Sequence, residues 1–189
     1  MKIVGILLAA GSATRFGSDK LLHPLPRGVP IALQAARNLK KEIERVVAVL
    51  RPGATELQRL FSEEGLETVV CERADEGMGT SLACAVRAAG ETDGYLVALA
   101  DMPFIRPATI RAVAEQLAAG APIVAPAWRG ERGHPVGFAA RFRDDLERLA
   151  GDAGARELLQ AQTAALELIE CQDPGVVRDV DTPADLTAR

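Results

Sequence analysis

Lys2-Ile-Val-Gly-Ile-Leu-Leu-Ala-Ala-Gly-Ser-Ala-Thr-Arg-Phe-Gly-Ser-Asp-Lys20 is the stretch on which the reading of the fold turns. The apolar run Ile3 to Leu8, closed by small residues and glycine, has the pattern of a parallel strand buried on both faces. Beyond its carboxyl end, the N–H groups of Ala9, Ala10, Gly11 and Ser12 are expected to lack strand partners. Small side chains let an anion approach such donors, and Arg15 and Lys20 add positive charge. The stretch therefore points to a nucleoside triphosphate.

The 189 residues suffice for one sizeable core. Each apolar run is broken by glycine, proline or charge well short of the ~18 residues a membrane span needs. The lysine and short apolar run at the start lead into a Gly/Arg/Lys loop, which does not fit a signal peptide. Cys71, Cys84 and Cys171 are widely spaced and odd in number, as suits small apolar residues in a reducing compartment. A cytoplasmic location is expected. The net charge of −4 excludes general nucleic-acid binding, which relies on a basic surface.

Taken in order, an irregular Pro/Gly-rich stretch (Leu22 to Pro30) is followed by a helix over Ile31 to Lys41, with Pro30 at its start. Strands are expected at Val46 to Leu50, Glu67 to Cys71, Tyr95 to Ala100 and Ile123 to Ala125. Between them, apolar spacing predicts helices over Ala54 to Glu64, Met78 to Ala89 and Pro107 to Ala119. Phe142, Leu146 and Leu149 mark a further helix, Leu158 and Leu159 another. Leu166 to Cys171 and Val176 to Val180 read as late strands. Strand–helix alternation of this kind predicts a single-domain, Rossmann-like three-layer α/β/α fold with a mainly parallel sheet. Ligands of such sheets bind at the carboxyl ends of the strands. Attention therefore falls on the loops after Leu8, Cys71, Ala100 and Ala125.

The first loop fails two common phosphate fingerprints. A Walker A loop needs lysine directly after its second glycine, but Lys20 comes three residues after Gly17. A dinucleotide fingerprint needs glycine two positions after Gly11, where Ala13 stands. What the loop L-A-A-G-S-A-T-R-F-G-S-D-K does resemble is the signature loop of the MobA-like nucleotidyltransferases, L-A-[AG]-G-x-S-x-R-x-G-x-x-K. Thr14 replaces the usual serine, unless Ser12 takes its part, and Phe16 stands where methionine is frequent. The resemblance implies a nucleotide-diphospho-sugar transferase type of fold. It also implies that the loop backbone (Leu8, Ala9, Ala10, Gly11, Ser12) wraps the triphosphate while Arg15 and Lys20 neutralise it.

Five further segments extend the resemblance. In Glu76-Gly-Met-Gly-Thr-Ser-Leu82, Thr80 or Ser81 is expected to cap a helix. The G-M-G-x-S-L pattern resembles a nucleotide-contacting segment of the molybdopterin cytidylyltransferase branch, which gives Gly79 and Ser81 that role. In Tyr95-Leu-Val-Ala-Leu-Ala-Asp-Met-Pro103, Asp101 emerges from a buried strand, where an aspartate can cap the next turn. A Mg²⁺ ion on a triphosphate takes one or two carboxylates, and A-D-M-P resembles the metal-binding segment of the family. Arg132-Gly-His-Pro-Val-Gly-Phe138 and Gly151-Asp-Ala-Gly-Ala-Arg156 resemble acceptor-side segments of the cytidylyltransferase branch. His134 either hydrogen-bonds an acceptor phosphate or shapes its loop with Pro135, and Gly154 and Arg156 are placed beside an anion. In Arg178-Asp-Val-Asp-Thr-Pro-Ala-Asp-Leu186, Thr182 reads as a helix N-cap. Asp181 is implied as a second metal contact, and Asp179 as a weaker one.

The implied reaction is Mg²⁺-dependent transfer of a nucleotidyl group to a phosphate acceptor, with residues 1–105 binding nucleotide and 106–189 binding acceptor. Catalytic roles fall to Arg15, Lys20 and Asp101. The motifs favour CTP and molybdopterin, with hand-over to a molybdoenzyme or its chaperone. Ala10 departs from the L-A-G-G of the guanylyl branch, whereas Asp19-Lys20 is similar to that branch's ending. GTP as donor, a sugar-phosphate acceptor and a non-catalytic cofactor chaperone are the alternatives.

Overall fold

The computed structural model describes residues 1–11 and 20–186. Ser12 and Arg15 lie outside the described residues. The sheet strands are β1 (Ile3–Ala9), β2 (Arg45–Leu50), β3 (Glu67–Val70), β4 (Gly94–Leu99), β5 (Ile123–Trp128), β6 (Glu131–Arg132), β7 (Val136–Ala139) and β8 (Leu166–Glu170). Their order is β3-β2-β1-β4-β7-β5-β6, with β8 also paired to β5. Contacts among β1 to β4 are parallel, as is β5 with β8, whereas β7 runs antiparallel between β4 and β5.

Six α-helices are found among the described residues: α1 (Ile31–Lys40), α2 (Thr55–Glu63), α3 (Met78–Ala89), α4 (Pro107–Ala118), α5 (Arg143–Glu147) and α6 (Arg156–Ala161). Successive side chains of a strand point to opposite faces. On β1, Leu7 and Ala9 join the core under α1, α2 and α4, which also holds Leu39, Phe61 and Val113. Val4 and Ile6 join the core under α3, α5 and α6, with Leu82, Leu146 and Leu159. An apolar strand without polar alternation thus becomes the middle of a three-layer α/β/α domain, as its sequence predicts. None of the described helices is long and apolar enough to cross a membrane.

Several local expectations are corrected. Ala9 belongs to β1, paired with Leu50, so only Ala10 and Gly11 of the described loop residues lie beyond the strand. Val176 to Val180 is not a strand. Pro174–Val177 forms a 3₁₀ turn, because the Asp173 carboxylate accepts from the Gly175 N–H at 3.0 Å and pulls the chain into a turn. The helix around Phe142 to Leu149 is only α5, preceded by a 3₁₀ turn at Ala140–Phe142. Neither Thr80 nor Ser81 caps α3: the helix begins at Met78, with Gly77 in the N-cap position at φ 120°. The Thr182 hydroxyl does not cap either. It donates to the Asp185 carboxylate at 2.9 Å, and Asp185 also accepts from the backbone N–H groups of Asp181 and Thr182.

Candidate functional site

A cavity of about 740 Å³ opens at the carboxyl edge of the parallel strands, a volume that suits a nucleotide-sized ligand. Leu8, Ala10 and Gly11 from the end of β1 form its floor, and Lys20 and Asp101 one side. Arg51 and Pro52 after β2, and Glu72, Ala74 and Asp75 after β3, form the far side. Gly77, Met78 and Ser81 of the α3 N-terminus, with Asp152, close the wall above. Among the described residues, no atom stands within 4 Å of a Cβ added to Gly11.

At one end of the cavity lies a charge cluster assembled from three parts of the chain. The Lys20 ammonium donates to Asp101 Oδ2 at 3.0 Å and to Asp181 Oδ1 at 3.0 Å. Lys20 is 13% exposed, Asp101 26% and Asp181 52%. One ligand oxygen from each of Asp101, Asp179 and Asp181 falls within 4.8 Å of the others. Burial disfavours charge on Lys20, but Asp101 and Asp181 outweigh it and hold the ammonium above its ordinary 10.5. Burial, then the adjacent Asp181 and Asp101, push the Asp179 carboxyl above its ordinary 3.8. Among the described residues three carboxylates face one ammonium, so this group carries excess negative charge when ionised. Hard oxygen donors with that excess fit a Mg²⁺- or Mn²⁺-type cation.

The second and third carboxylates depend on a C-terminal strap. Asp173 is buried and accepts from the Arg106 N–H (2.8 Å) and the Thr109 hydroxyl (2.7 Å) at the start of α4. Gly175 then passes so close to Phe104 that a Cβ would sit 2.3 Å from the Phe104 carbonyl oxygen. Finally the Val180 N–H donates to the Asp101 carbonyl at 2.9 Å, setting Asp179 and Asp181 beside the end of β4. Sequence reasoning missed Asp173, although Asp-Pro-Gly at 173–175 is a recognisable turn signal.

The segments read separately as nucleotide-side and acceptor-side are clasped together. The Gly79 N–H donates to the Gly151 carbonyl at 2.7 Å, and the Gly151 N–H donates to the Thr80 hydroxyl at 3.3 Å. A Cβ on Gly79 would stand 2.7 Å from the Ala150 carbonyl oxygen, and one on Gly77 2.2 Å from Asp152 Oδ1. Gly154 faces the Met78 side chain, where a Cβ would stand 3.0 Å from the sulfur. Gly77 and Gly79 therefore serve the close approach of two backbones, whereas Gly151 and Gly154 adopt positive φ at 66° and 55°. Ser81 is buried and lines the cavity.

His134, Pro135 and Arg156 lie outside the lining of that cavity. The motif holding His134 leads into β7, and Gly137 leaves space that a Cβ, 2.9 Å from Val124, would fill. The His134 ring lies against the Val97 backbone, and its Nδ1 is buried without a partner among the described residues. Burial first, then Arg132, lowers the imidazole to about 4, with Asp101 acting in the opposite sense. Arg132, which sequence reasoning passed over, is itself held below the ordinary guanidinium range by burial and by Arg156. His134 thus feels opposing charges from Arg132 and Asp101, and Arg132 in turn feels Arg156. Neither guanidinium has a carboxylate partner among the described residues.

A parallel sheet with an open glycine turn, a lysine and a carboxylate cluster at its carboxyl edge defines a nucleotide-handling α/β protein. The chain belongs to the MobA-like NTP transferase family, whose domain model matches residues 5–166. It is 29% identical to the purine catabolism protein PucB of Bacillus subtilis, over 97% of this chain and 93% of that protein. It is 32% identical to nicotine blue oxidoreductase of Paenarthrobacter nicotinovorans, over 95% and 92%. A probable molybdenum cofactor guanylyltransferase of Thermococcus kodakarensis is 31% identical over 77% of this chain and 70% of its own. Rv0371c of Mycobacterium tuberculosis superposes with a TM-score of 0.83 at 27% identity, covering 97% of this chain and 94% of that one. A second structure of Rv0371c is a complex with manganese (TM-score 0.79, 26% identity, 98% and 96% coverage).

Proposed function

We propose that this protein is a Mg²⁺-dependent nucleotidyltransferase that moves CMP from CTP to the phosphate of molybdopterin and releases pyrophosphate. The observation that carries the reading is Lys20 held between Asp101 and Asp181 on the rim of a nucleotide-sized cavity. An acceptor phosphate oxygen attacks the α-phosphorus. The new P–O bond forms as the bond to the β-phosphate oxygen breaks, and that oxygen departs on pyrophosphate. No general base is required, because a phosphate monoester with its second pKa near ~6 is already ionised at neutral pH.

Catalysis then consists of placement and charge neutralisation. Asp101 and Asp181, with Asp179 beside them, hold the cation. When bound, the cation neutralises phosphate oxygens and stabilises the leaving pyrophosphate. Lys20 and Arg15 serve the triphosphate, whose phosphates lie over Ala10 and Gly11. Glu72, Asp75 and Asp152 make the other end acidic, which favours base and ribose there. On the acceptor side, Arg156 and Arg132 are two cations in search of an anion, and neutral His134 feels opposing charges from Arg132 and Asp101.

The identity to a named guanylyltransferase keeps GTP as the second donor, and the different names among the relatives mean that family membership alone does not choose the acceptor. The test is pyrophosphate release from CTP, GTP, UTP and ATP with molybdopterin, with and without Mg²⁺, the products weighed by mass spectrometry. A preference for GTP would move the protein to guanylyl transfer. Absence of pyrophosphate with every nucleotide would favour a cofactor carrier that hands molybdopterin to a molybdoenzyme.

A further inference from the structure

We propose that Lys20 is the resident counter-ion of the cation seat: its ammonium holds the place between Asp101 and Asp181 until a divalent cation takes it. The same exchange then frees Lys20 for the nucleotide phosphates, a second half that rests on the nucleotidyl-transfer reading.

Nζ lies 3.0 Å from one oxygen of Asp101 and 3.0 Å from one of Asp181, so it fills the space between the two oxygens that a shared cation would require. Two cations cannot both be held there, since they would compete for the same oxygens and repel each other. The third carboxylate decides the direction of exchange. Asp179 belongs to the same group, and among the described residues a single positive charge leaves the three carboxylates undercompensated, whereas a divalent ion offsets one charge more. Lys20 can move without disturbing the backbone, because its ammonium is carried on a flexible four-carbon stem. The protein alone should therefore hold a divalent ion weakly, since binding must displace a double charge-assisted contact. A polyphosphate, by offering the displaced ammonium a new partner, should favour the exchange, and the coupling must be reciprocal.

Mn²⁺ is the probe, titrated into the full chain without nucleotide while the free ion is followed by electron paramagnetic resonance. Lys20→Met is expected to bind Mn²⁺ roughly tenfold or more tightly than the unaltered protein, the range of a lost charge-assisted contact. Lys20→Arg, which keeps the charge, should stay near the unaltered affinity, and Lys20→Met/Asp101→Asn should lose the gain. Equal or weaker Mn²⁺ binding by Lys20→Met would overturn the proposal, as would a gain that survives loss of Asp101. If Lys20→Met unfolds in the absence of metal, recovery of the fold by Mn²⁺ supports the exchange and failure to recover it counts against. Turnover plays no part in this measurement. A missing gain therefore leaves nucleotidyl transfer standing, and a protein that releases no pyrophosphate can still show the exchange.

Discussion

The Gly79 amide donates to the Gly151 carbonyl at 2.7 Å, so the N-terminus of α3 and the loop ahead of Arg156 form one wall. The same proximity leaves no room for a side chain, since a Cβ at position 79 would stand 2.7 Å from the Ala150 oxygen. Gly79→Ala must push the loop away, at a cost of about 1–3 kcal/mol for overpacking. Urea unfolding of the two proteins checks it, and an unchanged midpoint would show that the wall yields freely.

Gly11→Ala should behave in the opposite way. Among the described residues nothing crowds that position, so stability is expected to shift by less than about 0.5 kcal/mol. The methyl group instead enters the space over the backbone, and CTP should bind about tenfold or more weakly. Calorimetric titration alongside thermal unfolding separates the two effects.

Asp101→Ala removes the carboxylate that emerges directly from β4. Transfer is expected to fall by about 10²-fold or more while the far-UV circular dichroism spectrum is retained. Chelation of divalent ions should silence the unaltered protein to a similar extent. Near-normal turnover of Asp101→Ala would remove the cation assignment.

Arg132→Ala and Arg156→Ala should each raise the KM for a phosphorylated acceptor by about 10- to 100-fold, the worth of a charge-assisted contact. The KM for the nucleotide should stay within about twofold, because neither residue lines the nucleotide cavity. Equal effects on both substrates would place the arginines elsewhere in the reaction.

His134 predicts an acid-side instability. Its imidazole is held down at about 4, chiefly by burial, against an ordinary 6.5. Between those values the unfolded chain binds a proton that the folded chain refuses, so stability falls as pH drops from 6.5 towards 4. Above 6.5 the contribution is constant. His134→Gln should lose less stability than the unaltered protein across that window, measured as urea midpoints at pH 7 and pH 4.5. Parallel losses in the two proteins would assign the acid lability to other groups.

Much of the fold was legible because its central strands are continuous apolar runs, α1 starts after Pro30, and the next three helices run out at Gly65, Gly90 and Gly120. The helix expected over Met78 to Ala89 is α3 to the residue. What escaped reading depends on contacts far apart in sequence. β7 has only four residues, one of them Gly137, and exists because β4 and β5 flank it. Val176 to Val180 is apolar enough for a strand, but the Asp173 side chain competes successfully for the backbone. In the candidate site, Lys20, Asp101 and Asp181 stood out by their motifs, and the structure brings them together. Arg132 did not, because a single arginine on an exposed two-residue strand has no local signature. The direct clasp of Gly79 on Gly151 likewise has no local sign, since each glycine alone reads as a turn or a helix start.

The bond from Lys20 to Asp181 spans 161 positions of the chain. The eight strands of the sheet are all in place by Glu170, yet they carry only one of the three grouped carboxylates. Asp179 and Asp181 join Asp101 only when the strap anchored by Asp173 docks beside β4. The acidic cluster is therefore completed by tertiary docking and not by the sheet alone, so a change that loosens the strap is expected to scatter the carboxylates while sparing the core.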